Sequence, residues 1–148
     1  MQTNYIKINQ SDLKSLKKKM DNLRAFDKKT LSNEIGKSAL EISRIAKKNV
    51  VVDSGNLKQS IKAEAKGKTA EVVARAKYAP YVEFGTGGKV DLNDMLELGI
   101  PASYASQFKG KGIKDINLPA RPFFFNAARI GLKNLLVRLN GEIKKAIQ

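Results

Sequence analysis

The chain has no cysteine and no histidine among its 148 residues. Without cysteine there is no disulfide framework and no thiolate metal site. Without histidine, Ser-His-Asp and Cys-His catalysis are closed, and so is the commonest zinc ligand. Long apolar runs are also missing. None comes near the roughly 20 residues of a membrane span, so no membrane partner is expected. The first ten residues are polar and carry no apolar signal core, so synthesis and use in a cytoplasm are expected. Phosphate-loop spacing is absent too: Gly85-Thr86-Gly87-Gly88 and Gly110-Lys111-Gly112 match neither GxxxxGK[ST] nor GxGxxG. The acids Glu83, Asp91, Asp94 and Glu97 read as a solvated face and not as a metal site. No cofactor, metal or catalytic residue is expected, and the chain is read as a non-enzyme.

Positive charge is in excess. There are 28 basic and 14 acidic residues, for a formal net charge of +14. Residues 1–30 hold eight basic residues against three acids, and residues 109–148 hold nine against two. A balance this basic implies either solvated helix faces or an anionic partner such as nucleic acid or an acidic protein. A hydrophobic fraction of 42% is enough for the core of one domain of this length.

Periodicity places the elements. Leu13, Leu16, Met20 and Leu23 recur at spacings of three and four, predicting an amphipathic helix over 11–26 with Ser11 or Asp12 at its start. Such a helix needs a partner to cover its stripe. A second helix is predicted over 31–49, capped by Thr30 or Ser32, with Leu31, Ile35, Ala39, Ile42 and Ala46 on one face. Asp53-Ser54-Gly55 is turn chemistry, and Ser54 or Asn56 is placed to cap a short turn through Ser60. Strands at 61–65 and 70–76 flank Gly67-Lys68, which predicts an antiparallel hairpin. Residues 86–117 read as a long inserted loop, with one short helix from Asp91 as cap to Gly99 as stop. The last helix is expected from Pro122 to Ile147, with Gly131 and Gly141 each weakening it by about 1 kcal/mol relative to Ala. The fold class is α+β: a small antiparallel sheet packed with two N-terminal helices and a long C-terminal helix. A single domain is expected over 1–148, with the basic helix in 1–29, helix plus hairpin in 30–85, the insertion in 86–117 and the closing helix in 118–148.

Three segments stand out. The first runs from Asp53-Ser54-Gly55-Asn56-Leu57 to Ser60-Ile61. The second is Tyr78-Ala79-Pro80-Tyr81-Val82-Glu83-Phe84-Gly85-Thr86. The third is Pro119-Ala120-Arg121-Pro122-Phe123-Phe124. Taken one at a time, the aromatics of the second segment read first as anchors of a core edge, and second as contacts to another subunit, where Tyr and Phe are enriched. Glu83 is an acid with Arg121 as its natural partner. Phe123, Phe124 and Phe125 in succession cannot share one face of a helix. At least one is expected to point toward a strand, the insertion or another chain.

In order and spacing the trio resembles a family of phage tail-completion or neck proteins of long-tailed double-stranded DNA phages, over about residue 30 to the C-terminus. The resemblance implies an α+β, non-enzymatic virion protein, made in the bacterial host. It implies a homo-oligomeric ring, hexamer or dodecamer, between the head connector or stopper and the tail terminator or tail tube, with genomic DNA passing through. Tyr81, Glu83, Phe84, Arg121 and Phe123 are then the expected subunit-interface residues, some of which only hold the fold. Lys109, Lys111 and Lys114 are candidates for contact with the DNA channel or a partner. The insertion departs from the shorter members, which pass almost directly from the glycine-threonine pair to the proline-rich segment. The alternative reading is a basic nucleic-acid-binding module, indifferent to sequence and steep in salt.

Overall fold

A computed structural model describes residues 9–51, 55–109 and 117–148, with the side chain of residue 109 left out. Asn9 opens helix α1 (Gln10–Ala25), its side chain accepting from the Ser11 N–H. The cap therefore precedes Ser11 and Asp12. No chain break separates α1 from α2 (Leu31–Asn49): a π-helical turn, Phe26–Thr30, joins them, and the Leu31 N–H donates to the Phe26 carbonyl. Thr30 and Ser32 consequently cap nothing, because the amides they would serve already have carbonyl partners. Ser32 Oγ donates instead to the Lys29 carbonyl.

The short helix α3 (Asn56–Ser60) leads into a two-stranded antiparallel sheet. Strand β1 (Ile61–Lys66) pairs with β2 (Thr69–Ala74) from Ile61 opposite Ala74 to Lys66 opposite Thr69. The two-residue turn at Gly67-Lys68 fixes that register. Helices α2 and α7 (Phe125–Ile147) lie against each other, and α2 also backs the sheet. Their shared core holds Ile42, Ala46, Val50, Leu57, Ile61, Ala79, Phe123 and Ala127.

The buried face of α2 is turned slightly from the apolar stripe, toward Glu34, Ser38 and Ser43. Two features of α7 cause this. Gly131 lets the helices approach so closely that a Cβ there would collide with Ile42, and Ser38 Oγ donates to the Gly131 carbonyl at 3.1 Å. Further along α7, Arg138 bridges Glu34 at 2.8 Å and Glu41 at 2.9 Å, while Asn134 donates to Glu41. Both carboxyls are held below the ordinary 4.5. For Glu34 the hydrogen bond from Lys37 contributes most, then that from Arg138. For Glu41 the largest contribution is the hydrogen bond from Asn134, followed by Arg138.

The insertion is not one loop. After a 3₁₀ turn at Gly87–Lys89 it forms α5 (Leu92–Glu97), capped by Asp91, and α6 (Ala102–Lys109). Pro101, which blocks continuation of α5, stands at the start of α6. These helices have a core of their own, built from Phe84, Val90, Met95, Ile100, Ala105 and Phe108. Helix α1 buries no residue: Leu13, Leu16, Met20 and Leu23 stay 38–55% exposed. It touches α7 near its end, where Asn22 donates to the Ala146 carbonyl.

The α2–α7 seam can be tested at its two glycines. Gly131→Ala should destabilise the protein by about 1–3 kcal/mol through overpacking, although alanine is the better helix former. Gly141→Ala, with open space around its Cβ, should stabilise it by up to about 1 kcal/mol. Urea unfolding of the two variants checks the opposite signs. The lowered Glu34 and Glu41 pKa values mean that their contribution is full above pH 4.5 and drains as pH falls through the depressed folded values. In Arg138→Met the acid loss, followed by urea unfolding at a series of pH values, should be shallower. An unchanged acid limb would show that Arg138 does not hold the carboxyls down.

Candidate functional site: a groove built by three motif segments

The second motif folds as a short helix, α4 (Ala79–Phe84), with Pro80 in its first turn. Pro80 needs no amide partner there. The helix presents Glu83 inward, 4% exposed. Its carboxylate accepts from three consecutive backbone amides: Phe123 at 2.7 Å, Phe124 at 2.9 Å and Phe125 at 3.0 Å. These amides open α7, which has no side-chain cap of its own at Phe124. Glu83 is thus a long-range cap, satisfying orphan N–H groups and placing a negative charge at the positive end of the helix dipole. Pro122 ends the extended lead-in and is not itself the first helical residue.

The lead-in is bonded to α4 on both sides of Glu83. Arg121 N–H donates to the Val82 carbonyl at 2.8 Å, and Thr86 N–H donates to the Leu118 carbonyl at 3.0 Å. The Leu118 N–H donates back to Thr86 Oγ1 at 3.0 Å. Gly85, at φ +75°, lies where any Cβ would strike the Leu118 carbonyl and the Ala120 amide. The glycine-threonine pair therefore serves close backbone approach.

The five expected interface residues divide. Phe84 is buried in the insertion's core and Phe123, at 1% exposure, in the α2–sheet core. Glu83 does not pair with Arg121, because its oxygens are taken by the amides of 123–125. Buried as they are, Glu83, Phe84 and Phe123 present no surface to another subunit in this arrangement. Tyr81 and Arg121 remain exposed. Tyr81 stands edge-on to Phe108, ring centroids 5.5 Å apart. The phenylalanine run resolves between the two cores: Phe124 packs on the first, and Phe125 reaches the second and Phe84. Lys111 and Lys114 lie outside the described residues. Lys109 ends α6.

Tyr81 and Arg121 line a cleft of about 570 Å³ together with Val51, Lys58, Tyr78 and Leu118. All three motif segments, or their immediate flanks, contribute to it. Sequence reasoning singled out two of these six. Of the other four, Tyr78 begins the second motif and Lys58 lies within the first, while Val51 and Leu118 flank motifs. Among the described residues neither Lys58 nor Arg121 forms an ion pair with a carboxylate, and no group of three or more His, Cys, Asp or Glu could hold a metal ion. Among them, too, no helix is long and apolar enough to cross a membrane.

Residues 14–85 match the family model described as "Bacteriophage HK97-gp10, putative tail-component". This stretch, 72 of the 148 residues, is similar to that phage tail-component family. The match covers most of α1 through α4 and two of the three motif segments, in agreement with the resemblance read from the residues. The insertion and α7 lie beyond it. No curated protein and no solved structure matches the chain.

Glu83→Gln tests the cap. An amide has one acceptor and brings a donor toward amides that are themselves donors. We expect a loss on the order of 2–4 kcal/mol in urea unfolding. A loss below about 0.5 kcal/mol, within the range of ordinary surface changes, would show that α7 does not depend on Glu83.

Proposed function

We propose that the protein is a structural, non-enzymatic subunit of a tailed phage or prophage virion. It assembles as a tail-completion or neck ring, a hexamer or dodecamer, around the DNA channel. Its neighbours in this reading are a head connector or stopper on one side and a tail terminator or tail tube on the other. The tail-component match supports the structural role. The observation that carries the assembly reading is the uncovered apolar surface. The α1 stripe is half exposed, and on α7 Leu132, Leu136 and Val137 are 53–68% exposed. A monomer that leaves aligned apolar side chains in water on two helices has surface suited to other protein.

The second reading, a basic nucleic-acid-binding module, is favoured by one feature. The outer side of α2 gathers Arg44, Lys47 and Lys48 along an open groove beside exposed Leu40. Three cations within two turns suit a phosphate backbone and carry no base readout. In a ring the same face would suit passing DNA, so this feature fits both readings.

Light scattering of the purified protein at low and high salt, with and without short duplex DNA, separates them. The ring reading expects a discrete multiple of the 16.3-kDa chain that persists in high salt, with DNA adding mass only at low salt. A monomer that gains mass solely when DNA is added would favour the nucleic-acid module and count against self-assembly.

A further inference from the structure

A chain of net charge +14 that binds copies of itself must avoid setting positive surface against positive surface. The sequence offers one relief. Residues 90–108 are the longest stretch without Lys or Arg, and they contain Asp91, Asp94 and Glu97. The structure folds this stretch into α5 and α6 over a separate core. On α5, Met95 is buried while Asn93, Asp94, Leu96 and Glu97 are exposed along one arc of the helix. An apolar side chain, Leu96 at 48% exposure, stands at one edge of that outward arc, with Glu97 and Asp94 further round it.

The motif-lined cleft is its complement. Its walls are Val51, Tyr78, Tyr81 and Leu118, each about half exposed. Among the described residues that line it, the charged groups are Lys58 and Arg121, and none is an acid. Apolar walls with a cationic rim fit an apolar side chain that has carboxylates to one side of it. The cleft and α5 share no residue, so a contact between them joins two different surfaces. Repeated head to tail, such a contact closes into a ring if the rotation permits.

We infer that the acidic α5 arc of one copy docks, Leu96 foremost, into the cleft of the next copy, against Lys58 and Arg121. This rests on the ring-subunit reading and assigns it a subunit contact. In such a contact the insertion supplies acids from the longest stretch of the chain that carries no Lys or Arg. The cationic rim sets register, and the apolar walls hold the contact when salt screens the charges.

The cysteine-free sequence allows a direct test by mixed crosslinking. Leu96→Cys is made in one preparation and Val51→Cys in a second carrying a size tag. Both positions are exposed, so neither change empties a core. Light scattering of each preparation is measured alongside. Oxidation of the mixture should give a covalent heterodimer in excess of the homodimers from either variant alone. Adding Lys58→Glu and Arg121→Glu to the Val51→Cys chain should lower its yield on the order of tenfold. Adding Asp94→Lys and Glu97→Lys to the Leu96→Cys chain should then restore it. Homodimers alone, no crosslink from an oligomeric preparation, or a heterodimer indifferent to charge reversal would overturn the docking and leave the ring reading standing. No crosslink from preparations that are monomeric throughout would overturn both.

Discussion

One carboxylate organises the fold. Glu83 sits at the end of a six-residue helix and accepts from the three amides at which α7 begins. Those amides would otherwise be buried or half-buried donors without an acceptor, a cost of about 1–3 kcal/mol each. The charge also lies at the end of α7 where the helix dipole favours it. This fixes where α7 starts and how it is aimed. It also sets the three phenylalanines, so that Phe123 enters one core while Phe125 leans on Phe84 in the other.

The remaining motif residues make sense around that contact. Arg121 and Leu118 bond through their backbones to either side of α4, and Gly85 leaves room for them to pass. The aromatic-glycine segment and the proline-arginine segment are thus two halves of one clasp. A clasp of backbone bonds uses main-chain groups and leaves side chains over. Tyr78, Tyr81, Leu118 and Arg121 stand outward and, with Val51 and Lys58 from the first motif and its flank, frame the cleft. Holding the fold and presenting a surface are divided between neighbouring residues of the same motif.

Much of this architecture is legible in the sequence, and the exceptions have physical causes. The α2 boundaries and the hairpin turn follow from apolar periods and from Gly67-Lys68. The caps at Thr30 and Ser32 do not form, because a π-turn carries the helix through. Single-residue capping preference is blind to a continuous chain of backbone bonds. Gly131 looks like a weakness in a helix, and only its contact with Ile42 shows it to be a point of close approach in the seam. Helix α6 is hidden by a weakly amphipathic segment directly after Pro101. Its stability comes from Ala105 and Phe108 packing against α5 and Phe84. For the site, the motif residues were visible but their division was not. A glutamate between aromatics reads as an interface acid until the amides some 40 residues later are brought to it.

The Glu83 carboxylate clamps the start of α7 within its own chain, and this leaves the outward motif side chains free for a partner. Hydrogen exchange of the Phe123, Phe124 and Phe125 amides tests that central claim most directly, since buried, bonded amides exchange only through large-scale opening. The account predicts protection at these three comparable to that of the α2 amides around Ile42 and Ala46. Exchange at the rate of an exposed loop would contradict it.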